Sequence, residues 1–136
     1  MKRTLCLLKC DLVNRNLIGA AINAIESRFK IEKMEMRQLT LREIEEFYVE
    51  HKSRSFFPLL VQNVITTPVV ILVLQGGDNI VSEFRDYIGA TDPTKSPERT
   101  LRQRFGLSLD ANSFHGSDAD ASALREIKVL YPNWNI

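Results

Sequence analysis

The stretch PVVILVL, residues 68–74, decides the fold of this chain. After the proline every residue is apolar, and most are β-branched. A short apolar run of this composition predicts a buried central strand. The other elements are placed around it.

Two more strands and several helices are predicted on either side of this run. Residues 3–9 (RTLCLLK) predict an inner strand, and the alternation in residues 30–39 predicts a half-exposed one. Thr40 and Glu43 form a capping box that opens a helix. Helices are predicted over residues 16–29, 41–51, 55–64, 78–89 and 121–132.

The order of these elements is β-α-β-α-α-β-α-loop-β-α. It predicts an α+β sandwich with a four-stranded antiparallel sheet, covered by helices on one side. A chain of 136 residues with 44% hydrophobic residues fits one domain, 1–136.

Charge and cysteine content exclude several classes of protein. Eighteen basic and seventeen acidic side chains leave a net charge of +1, so nucleic acid is not expected as a partner. No segment is long enough to span a membrane, and Lys9 interrupts the apolar run near the N-terminus. Cys6 and Cys10, four residues apart, read as reduced thiols of a cytoplasmic protein.

The residues that point to a function surround a long polar loop, residues 90–106. Arg85 precedes this loop, Thr91 opens it and Arg102 lies near its end. Guanidinium groups and a hydroxyl are suited to binding a polyphosphate.

The stretch ANSFHGSD, residues 111–118, places His115 between Asn112 and Asp118. Taken alone, this histidine is more simply a hydrogen-bonded residue of a turn. The alternative is a nucleophile, because an unperturbed pKa of about 6.5 leaves the imidazole mostly neutral at pH 7. Glu126, in the closing helix, could accept a hydrogen bond from the other ring nitrogen.

Five segments in order, LLKCDLV, FYVEHKSRSFF, FRDYIGATDP, TLRQRFG and ANSFHGSDADASALREI, resemble the nucleoside diphosphate kinase family. The resemblance covers essentially the whole chain, and N-x-x-H-G-S-D is its most specific part. It implies a ferredoxin-like α/β sandwich that assembles into hexamers or tetramers. It also implies a phosphotransferase that moves the γ-phosphoryl group between nucleoside di- and triphosphates.

The resemblance implies a role for each site residue. His115 would be the phosphorylated histidine, supported by Ser117 and Glu126. Mg²⁺ would be held mainly by the nucleotide phosphates, with no protein metal site. The nucleotide contacts would be Lys9 (ribose and phosphates), Tyr48 (near the γ-phosphate), Phe56 (base stacking), Arg85, Thr91 and Arg102 (phosphates) and Asn112 (ribose).

The chain departs from the family pattern at three places. The usual K-P-D-G is Lys9-Cys10-Asp11-Leu12 here, Glu98-Arg99 replaces Pro-Gly, and Arg104 replaces a common acidic residue. Glu98 is expected to bring a carboxylate near the phosphates. We nevertheless expect an active enzyme, since every nucleotide-contacting position is retained.

Other interpretations make different predictions. A regulatory binding module would lack His115, Lys9 or Arg102, and an RNA-binding sheet would show aromatic residues on its central strands. Phosphotransfer from a histidine to other proteins stays open. His51, one helical turn after Tyr48, either faces the nucleotide or is a solvated helix-end residue.

Overall fold

The computed structural model describes residues 1–49, 53–55 and 57–136. Most of the predicted elements are present, with somewhat different ends. They are β1 (Lys2–Leu8), α1 (Cys10–Asn14), α2 (Ile18–Glu26), β2 (Lys30–Arg37), α3 (Leu41–Phe47), α4 (Phe57–Ile65), β3 (Val69–Gly76), α5 (Ile80–Ile88), a 3₁₀ turn (Pro93–Lys95), α6 (Leu101–Phe105), β4 (Phe114–Gly116) and α7 (Asp120–Leu130).

The four strands form one antiparallel sheet in the order β2-β3-β1-β4. The strand β1 pairs along its whole length with the predicted central strand β3, with Leu5 opposite Val73. The short strand β4 pairs with the end of β1, where His115 lies opposite Leu7. The predicted fold class is confirmed, and the sheet holds His115 in a fixed register.

Helices cover both faces of the sheet, so the expectation of helices on one side was wrong. Alternate residues of β3 enter two separate cores: Leu72 packs with α2 and α5, whereas Ile71 packs with α3, α4 and α7. The physical reason is visible in the run itself. An uninterrupted apolar strand has no polar face for water, so both sides need a cover.

Helix ends follow local chemistry. The capping box is confirmed: the Glu43 amide donates to Thr40 Oγ1 at 3.1 Å, and the Thr40 amide donates to the Glu43 carboxylate at 3.0 Å. Gly89 ends α5 with φ +94°, a conformation that glycine adopts without strain. No helix in the described ranges is long and apolar enough to cross a membrane.

The five-residue helix α1 was not predicted. It begins directly after Lys9, and five residues are too few to show a helical period. Its effect is to turn the chain sharply at the end of β1. This turn leaves Lys9 at the end of β1, where its amide donates to the Ser113 carbonyl just before β4 at 2.8 Å.

Candidate active site

A cavity of about 160 Å³ lies where β4 meets the start of α1, the end of α5 and α6. Most of the predicted site residues contribute to its wall. Its lining is Lys9, Phe47, Tyr48, Arg85, Thr91, Arg102, Phe114, His115, Gly116, Asp118, Arg125 and Glu126.

His115 is held at the cavity wall by Glu126. Its Nε2 lies 2.9 Å from Glu126 Oε1, and the same oxygen accepts a 2.7 Å hydrogen bond from Ser117 Oγ. The Ser117 amide donates to the Leu5 carbonyl of β1, so Ser117 connects the Glu126 carboxylate to the sheet. An ionised carboxylate only accepts hydrogen bonds. The proton of the neutral imidazole is therefore on Nε2, and Nδ1 keeps its lone pair.

The environment keeps His115 neutral. Burial lowers its pKa below the ordinary value, and the positive charges of Lys9 and Arg102 lower it further. The bond to Glu126 opposes this shift and raises the pKa. Because the net direction is downward, the imidazole is uncharged at neutral pH and available as a nucleophile.

Two arginines bind the backbone on either side of His115. Arg85 donates to the Gly116 carbonyl at 3.1 Å, and Arg102 donates to the Phe114 carbonyl at 2.9 Å. Burial, and then the charge of Arg85, lower the pKa of Arg102 to about 10. The Arg102 Nε is a buried donor without an acceptor in the described part of the chain. Burying cations close together is energetically unfavourable, so a cavity that contains them favours the binding of an anion.

A third cation of the cavity is Lys9, which directly follows β1. Lys9 Nζ donates to Asn112 Oδ1 at 3.0 Å, and Asn112 Nδ2 donates to the Thr91 carbonyl at 3.2 Å. Burial, followed by the charge of Arg102, lowers the pKa of Lys9 to about 8. Lys9, Asn112 and Thr91 therefore form one chain of contacts beside His115.

Aromatic side chains close another side of the cavity. The Phe47 ring packs edge-on against the His115 ring with centroids 4.9 Å apart, and the Tyr48 ring lies 6.1 Å away. Burial and the nearby Glu126 carboxylate raise the pKa of Tyr48, so its hydroxyl keeps its proton. Phe56 and His51 lie outside the described residues.

Some contributors were missed by sequence reasoning. Arg125 lines the cavity, and its guanidinium also binds the Glu46 and Phe47 carbonyls at 3.0 and 3.3 Å. Its only signal in the sequence is its position next to Glu126. In the sequence Asp118 stands out only as a neighbour of His115, yet it also lines the cavity.

Glu98 and Arg99 do not line this cavity. They border a separate surface depression together with Arg28 and Tyr87. The Glu98 carboxylate, expected near the phosphates, is therefore not part of the cavity that contains His115. Arg99 has φ +69°, in the left-handed region that favours glycine. The backbone has therefore kept the conformation suited to the glycine that the family pattern has at this position.

Carboxylates are few around the cavity. Within the described ranges, no group of three or more His, Cys, Asp or Glu side chains could hold a metal ion. Glu126 is already engaged by His115 and Ser117. Asp118 is the other carboxylate of the cavity wall, and it accepts a 2.6 Å hydrogen bond from Ser122 Oγ.

The sheet and its helices thus place a neutral histidine in a cavity lined by lysine and arginine side chains. The family model described as nucleoside diphosphate kinase matches residues 2–136. The chain belongs to the nucleoside diphosphate kinase family, which confirms the predicted family and activity. Enzymes of this family bind nucleotides and work with a divalent cation.

Individual relatives agree over nearly the full length. The nucleoside diphosphate kinase of Lawsonia intracellularis is 44% identical over 132 residues, covering 96% of this chain and 95% of the relative. That of Polynucleobacter necessarius is 42% identical, covering 100% and 96%. The solved Aquifex aeolicus nucleoside diphosphate kinase is similar with a TM-score of 0.88 at 33% identity, covering 95% and 94%. The Encephalitozoon cuniculi enzyme gives 0.89 at 30% identity, covering 95% and 88%.

Proposed function

We propose that the chain transfers the γ-phosphoryl group of a nucleoside triphosphate to a nucleoside diphosphate through a phosphohistidine at His115. The observation that supports this most is the 2.9 Å contact of His115 Nε2 with Glu126 inside a cationic cavity. It leaves Nδ1 as the nucleophile without requiring a proton to be removed first.

Each half-reaction is a single displacement at phosphorus. The Nδ1 lone pair of His115 attacks the γ-phosphorus, and the bond to the oxygen bridging the β- and γ-phosphorus breaks. The electron pair of that bond leaves with the nucleoside diphosphate, and the Nε2 proton stays between His115 and Glu126. A second diphosphate then attacks the phosphohistidine with a terminal phosphate oxygen, breaking the N–P bond and restoring the lone pair.

The cations would supply the electrostatic stabilisation. Arg102 and Arg85 are fixed by backbone carbonyls on either side of His115, so their remaining N–H groups are oriented before a nucleotide arrives. Such donors stabilise the charge of the transferring group without reorganisation. Thr91 would add a hydroxyl to the phosphates, and Tyr48 a donor near the γ-phosphate.

Lys9 and Asn112 would bind the ribose and the phosphates next to it. They already contact one another at 3.0 Å, and a sugar hydroxyl is able to join this pair as donor and acceptor. A bound phosphate would also favour the charged form of Lys9, whose pKa burial has lowered.

The divalent cation is proposed to be Mg²⁺, held mainly by the nucleotide phosphates, with Asp118 as a further carboxylate of the cavity wall besides Glu126. When bound, it would neutralise part of the phosphate charge. The protein's own contribution is the fixed set of arginines and the oriented imidazole.

The base would be bound by stacking, with little discrimination. Phe56, outside the described residues, would offer the aromatic face, and Leu109, with 57% of its surface exposed, would close the other side. GDP, ADP, CDP and UDP should therefore all be phosphorylated, purines first. Phe56→Ala should raise the apparent KM for all four and narrow the purine advantage. Rejection of three bases by several orders of magnitude would contradict this.

We also propose one domain, a cytoplasmic location and a homo-oligomer of four or six subunits. Met34 and Met36 on the edge strand β2 have 59% and 53% of their surface exposed, which favours burial against another copy. The buried free thiol of Cys6 suits a reducing compartment. Light scattering on the purified chain distinguishes a tetramer from a hexamer, and a monomer would contradict the assembly.

Labelling tests the central step. The purified chain incubated with γ-³²P-ATP and Mg²⁺ should acquire a label that is acid-labile, base-stable and removed by CDP or GDP. His115→Ala should abolish the label and the turnover, while circular dichroism and nucleotide binding stay close to wild type. Substantial label on the folded variant would show that another residue carries the phosphoryl group.

A further inference from the structure

The backbone just before His115 is held in an unfavourable conformation. Ser113 is fully buried, with φ +72°, and the Phe114 amide donates across it to the Asn112 carbonyl at 2.9 Å. This three-residue turn with a positive central φ is rare and strained for a residue other than glycine. Neighbouring groups must therefore hold it in place.

Those groups come from the segment that follows β1. The Ser113 amide donates to Asp11 Oδ1 at 3.2 Å, and Ser113 Oγ donates to Asp11 Oδ2 at 2.5 Å. The Ser113 carbonyl accepts a 2.8 Å hydrogen bond from the Lys9 amide. The amide, hydroxyl and carbonyl of the strained residue are thus all bound by residues 9–11.

Arg15 connects this contact to a third segment. Its Nη2 donates to Asp11 Oδ2 at 3.2 Å, to Ser113 Oγ at 3.0 Å and to the Phe105 carbonyl at the end of α6 at 2.5 Å. Its Nε also donates to the Asp11 carbonyl at 3.0 Å. One planar guanidinium therefore joins α1, α6 and the turn, a geometry that a lysine ammonium cannot reproduce.

Each of these three segments supplies a residue to the cavity. Lys9 precedes α1, Arg102 is on α6 and His115 follows the turn, whereas Asp11, Arg15 and Ser113 do not line the cavity. We propose that Asp11, Arg15 and Ser113, here named the turn cluster, are positioning residues for phosphoryl transfer. They keep the imidazole in line with the phosphorus that Lys9 and Arg102 present. The inference rests on the proposed function.

A misplaced nucleophile slows the chemical step but changes the affinity for nucleotide little. A displacement of about 1 Å can cost about a hundredfold in rate. The phosphates would still meet Lys9, Arg85 and Arg102, so the affinity for nucleotide should change little. A split between the rate of transfer and KM is therefore the signature of the turn cluster.

The test compares Arg15→Lys and Ser113→Ala with wild type by rapid quench. Phosphohistidine formation from Mg-ATP should slow by about tenfold or more in both variants, while the KM for ATP changes less than about twofold. The matched control is Arg42→Lys, because Arg42 forms an exposed i,i+4 ion pair with Glu46 on α3 and does not contact the turn cluster in the described contacts. Its rate should stay at the wild-type value.

Ser113→Gly separates positioning from simple stability. Glycine lacks the hydroxyl but adopts the positive φ without strain, so part of the rate lost in Ser113→Ala should return. All variants are assayed well below their melting temperatures, measured in parallel. If the variants form phosphohistidine as fast as the wild type, the inference is overturned while the proposed function stands. An unlabelled wild type overturns the proposed function and the inference with it.

Discussion

Glu126→Gln replaces one carboxylate oxygen by an amide nitrogen in the residue that orients His115. In the structure Glu126 Oε1 accepts from both His115 Nε2 and Ser117 Oγ, at 2.9 and 2.7 Å. The other oxygen, Oε2, lies 3.8 Å from an Arg125 nitrogen. The amide nitrogen of glutamine must therefore face either Arg125 or His115. In both positions it can only donate a hydrogen bond, whereas the carboxylate oxygen that it replaces accepts one.

The size of the effect follows from the kind of hydrogen bond that is lost. A bond to a charged group contributes about 1.5–3 kcal/mol and a neutral one about 0.5–1.5 kcal/mol, so the change costs about 1–2 kcal/mol. Phosphorylation at Nδ1 makes the ring cationic, and this cation is what the carboxylate stabilises. The rate of phosphohistidine formation should fall by about 5- to 30-fold.

The pH dependence provides a second, independent readout. Glu126 raises the pKa of His115 against the larger effect of burial, so its removal lowers that pKa further. The neutral imidazole is the reactive form, so the acid limb of kcat/KM should move to lower pH. Glu126→Gln should therefore show a lower plateau together with activity that persists to more acidic pH.

The assay is single-turnover labelling with γ-³²P-ATP from pH 5 to pH 9. Glu26→Gln serves as the control, since Glu26 is an exposed residue at the end of α2. An unchanged plateau would refute the orienting role of Glu126. A shift of the acid limb to higher pH would refute the proposed electrostatics of His115.

Three further predictions concern charges and backbone strain. Because the pKa of Lys9 is lowered to about 8, kcat/KM should decline as the pH rises through 8, and a profile flat to pH 10 would exclude a charged Lys9 in binding. Arg102→Ala should cost roughly 2–4 kcal/mol in kcat/KM and Arg102→Lys somewhat less, with steady-state kinetics as the measurement; equal activity of lysine and arginine would contradict bidentate contact. Arg99→Gly should raise the free energy of unfolding in urea by about 0.5–1 kcal/mol, since it relieves a φ of +69°. Asn16→Gly, at φ +59°, should gain less because asparagine tolerates this region, and a destabilised Arg99→Gly would contradict the argument.

Local patterns determined much of the fold. The capping box of Thr40 and the glycine stop at Gly89 predicted their helix ends because the groups that satisfy the backbone lie within a few residues. The apolar run of residues 69–74 predicted β3 because a buried strand requires such side chains. The motif around His115 then singled out the family.

Contacts between distant residues were decided only by the tertiary structure. The sequence suggested Glu126 as a partner for His115, but only the pairing of β4 with β1 placed them 2.9 Å apart. The bonds of Asp11 and Arg15 to Ser113 span about a hundred residues and leave no periodic signal along the chain. The helices on both faces of the sheet were missed for a related reason. Burial depends on what packs against a strand, and a pattern of side chains states only that burial is needed.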